Sequence, residues 1–236
     1  MVAVPYLLEV RDLSYSYPDG TPALDRVSIS LPDDARLAVV GANGSGKSTL
    51  LMAISGCFKA GGGDILIRGD AVGHDLPRLR GLTGLVFQDP DDQLFMPSVL
   101  EDVAFGLISG GADIKSAYDA AMSCLESLGA GHLAERPPHR LSGGERRIAA
   151  LAGIMVMRPE IFLLDEPTSS LDPRARREVI RTLAELSEPI IMATHDLDAA
   201  SRICKTAVVL QGGRVAASGP ATDILSDLSG LEQYGL

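Results

Sequence analysis

A chain of 236 residues, 46% apolar and 22% charged, is large enough to bury a substantial core and too short for more than one large or two small domains. A formal net charge of −10, no tryptophan and 4% aromatic residues argue against a nucleic-acid partner or a base-stacking platform. No apolar run is long enough to cross a bilayer, no leader pattern opens the chain, Cys57, Cys124 and Cys204 are scattered as in a reducing compartment, and the four histidines do not cluster as zinc ligands would.

In chain order, Leu7 to Ser16 and Ala23 to Leu31 alternate apolar and polar residues and predict antiparallel strands around a Pro18-Asp19-Gly20 turn. The apolar run Leu37 to Val40 predicts a buried strand. It runs into Gly41-Ala42-Asn43-Gly44-Ser45-Gly46-Lys47-Ser48, and Thr49 to Ile54 then reads as a helix. Strand, glycine-rich loop and helix are the context of a phosphate-binding loop. Its glycines let successive N–H groups turn toward phosphate oxygens, and the helix N-terminus adds partial positive charge. Lys47 is then the cation for the β- and γ-phosphates, and the Ser48 hydroxyl a ligand for Mg²⁺. The bland reading is an ordinary Gly/Ser loop at a strand end, and the Lys-Ser pair with both flanks in place argues against it.

Asp64 to Arg68 predicts a short strand after Gly61-Gly62-Gly63, and Leu82 to Gln88 a strand leading into the polar turn Asp89-Pro90-Asp91-Asp92. From about Val99 to Met157 the chain reads as helical. Ile114 to Leu128 carries apolar residues at Ala117, Ala121, Cys124 and Leu128, Pro137-Pro138 breaks the region, and Leu141-Ser142-Gly143-Gly144-Glu145 opens a further helix with Ser142 as N-cap. Ile161 to Leu164 is a fully apolar strand that ends in Asp165-Glu166. Two carboxylates at the C-terminal end of a buried strand lie where open α/β sheets bind ligands. Asp165 is the candidate for holding Mg²⁺, directly or through water, and Glu166 for polarising the attacking water as general base. A helix Pro173 to Leu186, a strand Ile190 to Ala193, a helix Leu197 to Ile203, strands Thr206 to Leu210 and Val215 to Ser218, and a short helical tail from Thr222 complete the chain. This alternation predicts an α/β fold with an inserted helical subdomain at about 95–157.

Taken together in this order, the phosphate loop, Leu141-Ser142-Gly143-Gly144-Glu145 and Asp165-Glu166 resemble the ATP-binding cassette (ABC) ATPases over nearly the whole chain, about Leu7 to Leu225. The resemblance implies one nucleotide-binding domain over 1–236: a P-loop core with an N-terminal antiparallel β subdomain and the helical insertion. It implies ATP and Mg²⁺ as ligands, with the loop residues Gly41, Asn43, Gly44, Ser45, Gly46, Lys47, Ser48 and Thr49 around the phosphates. Ser142, Gly143 and Gly144 match the signature that contacts the γ-phosphate held by an opposite subunit. Tyr17 matches the aromatic residue that stacks on adenine, with Tyr15 as its rival. Gln88 matches the glutamine that touches Mg²⁺ and the water, Asp172 the loop that crosses the dimer interface, and His195 the switch histidine at the γ-phosphate. Glu145 and Ile148 depart from the commoner glutamine and arginine.

The run Val86 to Phe95, followed by Ser98 to Gly106, resembles energy-coupling factor (ECF) transporter ATPases, above all those for cobalt and nickel uptake. That resemblance implies a homodimer, or a heterodimer with a similar ATPase, peripheral at the cytoplasmic face of the membrane. Its partners would be a transmembrane scaffold and a substrate-binding membrane component, with no nucleic acid involved. Biotin or another vitamin is the alternative cargo, and another ABC transporter a further alternative. The ATPases of DNA repair and chromosome maintenance need a long coiled coil between the phosphate loop and the signature. Only about ninety residues without heptads lie between Ser48 and Leu141.

Overall fold

The computed structural model describes residues 6–33, 35–73 and 75–236; the opening residues, on which the absence of a leader partly rests, lie outside them. The chain begins with strands β1 (Leu8–Ser16), β2 (Pro22–Leu31) and β3 (Arg36–Val40), helix α1 (Lys47–Ile54), strands β4 (Gly62–Ile67) and β5 (Asp70–Ala71), helix α2 (Leu76–Leu82) and strand β6 (Thr83–Val86). Helices α3 (Val99–Ser109), α4 (Ile114–Ser127) and α5 (Gly143–Met155) follow. The remainder comprises β7 (Ile161–Asp165), α6 (Pro173–Glu185), β8 (Ile190–Thr194), α7 (Leu197–Ile203), β9 (Thr206–Gln211), β10 (Arg214–Pro220), α8 (Ala221–Ser226) and α9 (Leu228–Gln233). These elements form two compact units. The first runs to Leu85 and adds Glu160–Glu166 and Ser187 onward; the second holds Val86–Pro159 and Pro167–Leu186.

The first unit contains two sheets. One is four-stranded in the order β2-β1-β4-β5, with antiparallel pairing throughout. Strand alternation decides its buried face: Leu8, Val10 and Leu13 of β1 and Leu24, Val27, Ile29 and Leu31 of β2 are buried. Register shifts interrupt the β1–β2 ladder near Asp12 and Arg26, whose φ angles are +49° and +51°. Serine hydroxyls accept the N–H groups there, Ser28 Oγ from Asp12 N at 2.9 Å and Ser14 Oγ from Arg26 N at 3.0 Å.

The other sheet has the order β10-β9-β3-β8-β7-β6, with β9, β3, β8 and β7 parallel and β10 antiparallel to β9. β7 and β8 are buried at every position, as expected of strands covered on both faces. α1 is also buried nearly all round, through Thr49, Leu50, Leu51, Ala53 and Ile54, so it shows little amphipathicity. Each such large apolar side chain contributes about 1.5–3 kcal/mol, and this burial makes the ends of the central strands a rigid platform.

The second unit packs the inner faces of its helices. Val99, Val103 and Ala104 of α3, Ala117, Ala121 and Leu125 of α4, Ala149 to Ala152 of α5, and Val179, Ile180 and Leu183 of α6 are buried. The expected α4 face needs one correction: Leu125 is the core residue, and Cys124 and Leu128 are half-buried. The seam runs through Ala117, Ala121 and Leu125, an i, i+4, i+8 row, and Cys124 sits beside it. A second correction concerns Leu82 to Gln88. The strand covers only Thr83–Val86, because Asp75 caps α2 by accepting from Arg78 N at 3.1 Å and that helix continues to Leu82.

Candidate active site

The parallel register sets Val40 beside Thr194 and Asp165 beside Ala193, so the chain leaves β3, β7 and β8 at one edge of the first unit. From β3 it turns through Gly41–Gly46 into α1. Gly46 adopts φ +105°, and a Cβ there would lie 2.6 Å from the Ala23 carbonyl oxygen, so only glycine fits the turn. Lys47 is buried. Its ammonium donates to the carbonyls of Gly41 (2.8 Å) and Ala42 (3.1 Å) and lies 3.9 Å from Glu166 Oε1. Desolvation pulls its pKa down, and the charges of Glu166 and Asp165 oppose that fall. The Ser48 hydroxyl stands on the first turn of α1, and Ser45 is buried in the loop itself.

Glu166 follows β7 with φ +45°, a left-handed conformation unusual for a glutamate. Its backbone N–H donates to Ala193 O at 2.8 Å, which ties it to the neighbouring strand. Its carboxylate is buried and fully engaged. Oε2 accepts from the Thr194 hydroxyl at 3.0 Å, Oε1 accepts from His195 N at 3.1 Å, and His195 Nδ1 stands 2.9 Å from Oε1. With Nδ1–H donating, His195 offers Nε2 outward from a side chain that is 59% exposed. The Thr194 hydroxyl also accepts from Asp196 N at 3.0 Å. The strand expected from the sequence ends at Ala193 and leaves Thr194 without a role; the signal available was a hydroxyl directly after a wholly apolar run.

Tyr15 and Tyr17 have different environments. Tyr15 stacks on Phe58 with ring centroids 4.0 Å apart and planes at 19°. Tyr17 is more exposed, meets Tyr15 edge-on, and shares a hydrogen bond of 2.8 Å with Thr49 Oγ1 on the helix of the phosphate loop. Tyr15 is therefore packed in place, and Tyr17 stands beside α1 with an available ring. The Thr49 hydroxyl is engaged by this tyrosine.

The second unit carries the other expected residues. Ser142 caps α5 as expected, in a reciprocal box: its Oγ accepts from Glu145 N at 3.3 Å, and Glu145 Oε2 accepts from Ser142 N at 2.7 Å. Gly144 is required by packing, because a Cβ would come 2.9 Å from that of Ala175 on α6. Asp172 caps α6, accepting from Arg174 N at 2.8 Å and Ala175 N at 3.1 Å; these bonds hold its carboxyl below the usual range. A Cβ on Gly143 would meet the Leu171 side chain, so the Ser142 and Asp172 segments pack as one body.

Gln88 is exposed on a loop bolted to α5 at three points. Buried Arg147 donates to Phe87 O at 2.8 Å, Gln93 Nε2 donates to Ala150 O at 2.9 Å, and Arg146 Nε lies 3.4 Å from Asp91 Oδ1. Arg147 was missed in the sequence because an arginine on a helix ordinarily reads as a solvated face.

The structure thus gathers Lys47, Ser48, Thr49, Asp165, Glu166, His195 and Tyr17 in the first unit, and Gln88, Ser142, Gly143, Gly144 and Asp172 in the second. Among the described residues no three His, Cys, Asp or Glu side chains form a metal cage. Mg²⁺ does not need one, since it keeps waters and phosphate oxygens and takes one or two protein oxygens. The Ser48 hydroxyl and the buried Asp165 carboxylate at the end of β7 fit that demand.

Comparison with known proteins agrees with this geometry. Residues 24–169 match the family model described as ABC transporter. The chain is 46% identical over 224 residues to an ABC transporter ATP-binding protein of Geobacter sulfurreducens, covering 94% of this chain and 90% of that one. It is 42% identical to the energy-coupling factor transporter ATP-binding protein EcfA of Methanothermobacter thermautotrophicus, over 94% of this chain and 73% of the relative. Among solved structures, cbiO1 of Clostridium perfringens, part of the ABC transporter complex cbiONQ, superposes with a TM-score of 0.84 at 35% identity over 97% of this chain and 94% of that one. The ATP-binding cassette MJ0796, in a dimeric post-hydrolysis state bound to ADP and Pi, gives a TM-score of 0.79 at 25% identity, covering 91% and 98%. No helix among the described residues is long and apolar enough to cross a membrane. The chain belongs to the ABC transporter family, with the P-loop ABC ATPase fold, as an ATP-hydrolysing ATP-binding subunit.

Proposed function

We propose that this chain is the ATPase of an ECF-type importer, taking up cobalt or nickel through a transmembrane scaffold and a separate substrate-binding membrane component. The observation that carries this reading is 42% identity to an EcfA protein, joined by 38% identity to the EcfA of Methanosphaera stadtmanae and by the likeness to cbiO1. The metal cargo rests on the run Val86 to Gly106, which resembles the cobalt and nickel subgroup. In the same run Phe95 is 63% exposed, its ring meets that of Phe105 edge-on at 5.0 Å, and exposed Asp92 lies nearby in sequence. Two unburied aromatic rings, with an exposed carboxylate three residues before Phe95 in the chain, suit a helix that carries an apolar side chain and an arginine. Of the acidic run, Asp89 caps Asp91 N and Asp91 pairs with Arg146, which leaves Asp92 as the carboxylate for a partner's arginine.

Two copies clasp ATP head to tail, each supplying its phosphate loop to one nucleotide and its Ser142–Gly144 turn to the other. Mg²⁺, when bound, offsets the charge on the phosphate oxygens. Lys47 places its ammonium at the β- and γ-phosphates. Glu166, held by Thr194 and His195 N, takes the proton from the attacking water, and His195 and Gln88 report the γ-phosphate to the rest of the chain. The ring of Tyr17 stacks on adenine. Loss of the γ-phosphate removes contacts made only in the closed pair, so the closed pair loses its advantage and opens.

The deciding experiment measures uptake of radiolabelled cobalt, nickel and biotin by cells carrying the wild-type chain or Glu166→Gln. Loss of metal uptake alone in the variant supports the reading. Loss of biotin uptake alone assigns a vitamin transporter, and loss of neither excludes both cargoes. Asp92→Lys should reduce recovery of the scaffold with the tagged chain, and undiminished recovery removes Asp92 from the docking surface.

A further inference from the structure

The signature turn of this chain has a charge problem. Glu145 stands at the third position of α5, where a phosphate drawn to the helix N-terminus meets a carboxylate one turn away. The N–H groups of Gly143 and Gly144 have no acceptor within the helix and are the ones available to an anion. Glu145 fastens the cap through Ser142 N, yet its charge opposes the anion that the cap is meant to receive.

Arg136 answers that charge. Its Nη1 donates to Glu145 Oε1 at 3.0 Å and its Nη2 to Arg140 O at 2.9 Å, so the guanidinium spans the 3₁₀ turn that leads into the signature. The arginine is delivered from fixed backbone: its N–H donates to Leu133 O at 2.8 Å, and its carbonyl accepts from Val99 N at the start of α3, at 3.0 Å. Glu145 uses one carboxylate oxygen for the Ser142 N–H and the other for Arg136. The pair is partly shielded, with side chains 42% and 28% exposed. No short sequence pattern links the two residues, which are nine positions apart and meet through the turn at Pro138–Arg140.

We propose that Arg136 is a positioning residue for the hydrolytic reaction: it neutralises Glu145, so that the Ser142–Gly144 turn can accept the γ-phosphate of the nucleotide on the second copy. A glutamate in place of the commoner glutamine is thereby tolerated, and it keeps the stronger, charge-assisted cap. The inference rests on the dimeric reading above.

The test is ATP-driven dimerisation of Glu166→Gln, followed by sizing chromatography over a range of ATP concentrations. Adding Arg136→Gln should raise the half-saturating ATP about tenfold, and the deficit should shrink in high salt as the uncovered carboxylate is screened. Adding Glu145→Gln to that variant removes the charge and should restore half-saturation to within about twofold of the parent. A purely structural role for Arg136 would not be rescued, because Glu145→Gln does not rebuild the bond to Arg140 O. Arg136→Lys keeps the charge and should lose less than Arg136→Gln; it carries the test if Arg136→Gln does not fold. Dimerisation indifferent to Arg136→Gln, failure of the Glu145→Gln rescue, or an Arg136→Lys defect of tenfold or more overturns the proposal. Failure of Glu166→Gln itself to dimerise with ATP overturns the dimeric reading, and this inference with it.

Discussion

The first unit presents its chemistry at the ends of buried parallel strands, and the second presents its own at helix N-caps near solvent. At the strand ends Lys47 is held by two carbonyls and Glu166, and Glu166 by Thr194 and His195. At the caps, Ser142 and Asp172 hold only their own helix starts, and the wider geometry comes from close packing of Gly144 on Ala175. The first arrangement suits bond-breaking, which needs fixed charge in a dry site. The second suits the proposed role of the Ser142–Gly144 turn, which is to bind and release a phosphate held by a second copy. Substitutions at strand ends should therefore damage turnover most, and substitutions at caps should damage stability or association.

Glu166→Gln makes the sharpest cut. The amide oxygen can still accept from Thr194 but cannot take a proton, so turnover should fall at least about 100-fold. ATPase activity near wild type would move the general base elsewhere and dissolve the contrast. Thr194→Val comes next. It strips the buried hydroxyl from Glu166 Oε2 and Asp196 N, and should lower stability by about 1–3 kcal/mol and turnover by about tenfold. Urea denaturation and steady-state assays measure both, and Thr194→Ser should recover most of the loss.

On the cap side, Gly144→Ala forces α5 away from Ala175 and should cost about 1–3 kcal/mol of stability. Ala175→Gly in the same chain should recover part of it, and no recovery would mean that this packing does not set the turn. The smallest effect concerns pH. Glu145 titrates below its ordinary 4.5, chiefly because Ser142 N donates to it and secondarily because Arg136 lies beside it. A carboxyl depressed on folding contributes stability that is present above 4.5 and is lost as pH falls through the folded value. Glu145→Gln should flatten the thermal midpoint against pH below 4.5, and only slightly, because the carboxylate is near solvent. An unchanged slope would mean that the cap carboxylate contributes nothing.

The elements of the catalytic half were legible because each is a local pattern. An apolar run, a glycine loop ending in Lys-Ser and a helix occupy fewer than twenty consecutive residues, Leu37 to Ile54, and appear as β3, its loop and α1. The α5 cap was equally local, since a Ser-x-x-Glu box lies within one helical turn. The different surroundings of Tyr15 and Tyr17 were not legible, because the stacking partner of Tyr15 is Phe58, more than forty residues away. The α4 seam was displaced by one residue, since several registers of its small apolar residues give a plausible helical face.

The sequence by itself determined the family, the phosphate loop, the carboxylate pair and the α/β order, because strand and helix periods and short glycine motifs are encoded residue by residue. Only the tertiary structure decided who restrains whom: Thr194 and His195 on Glu166, Arg147 on Phe87, and Arg136 on Glu145. Those partners lie from nine to sixty positions apart. Their meeting follows from how strands register and helices pack, which no local pattern in the chain records.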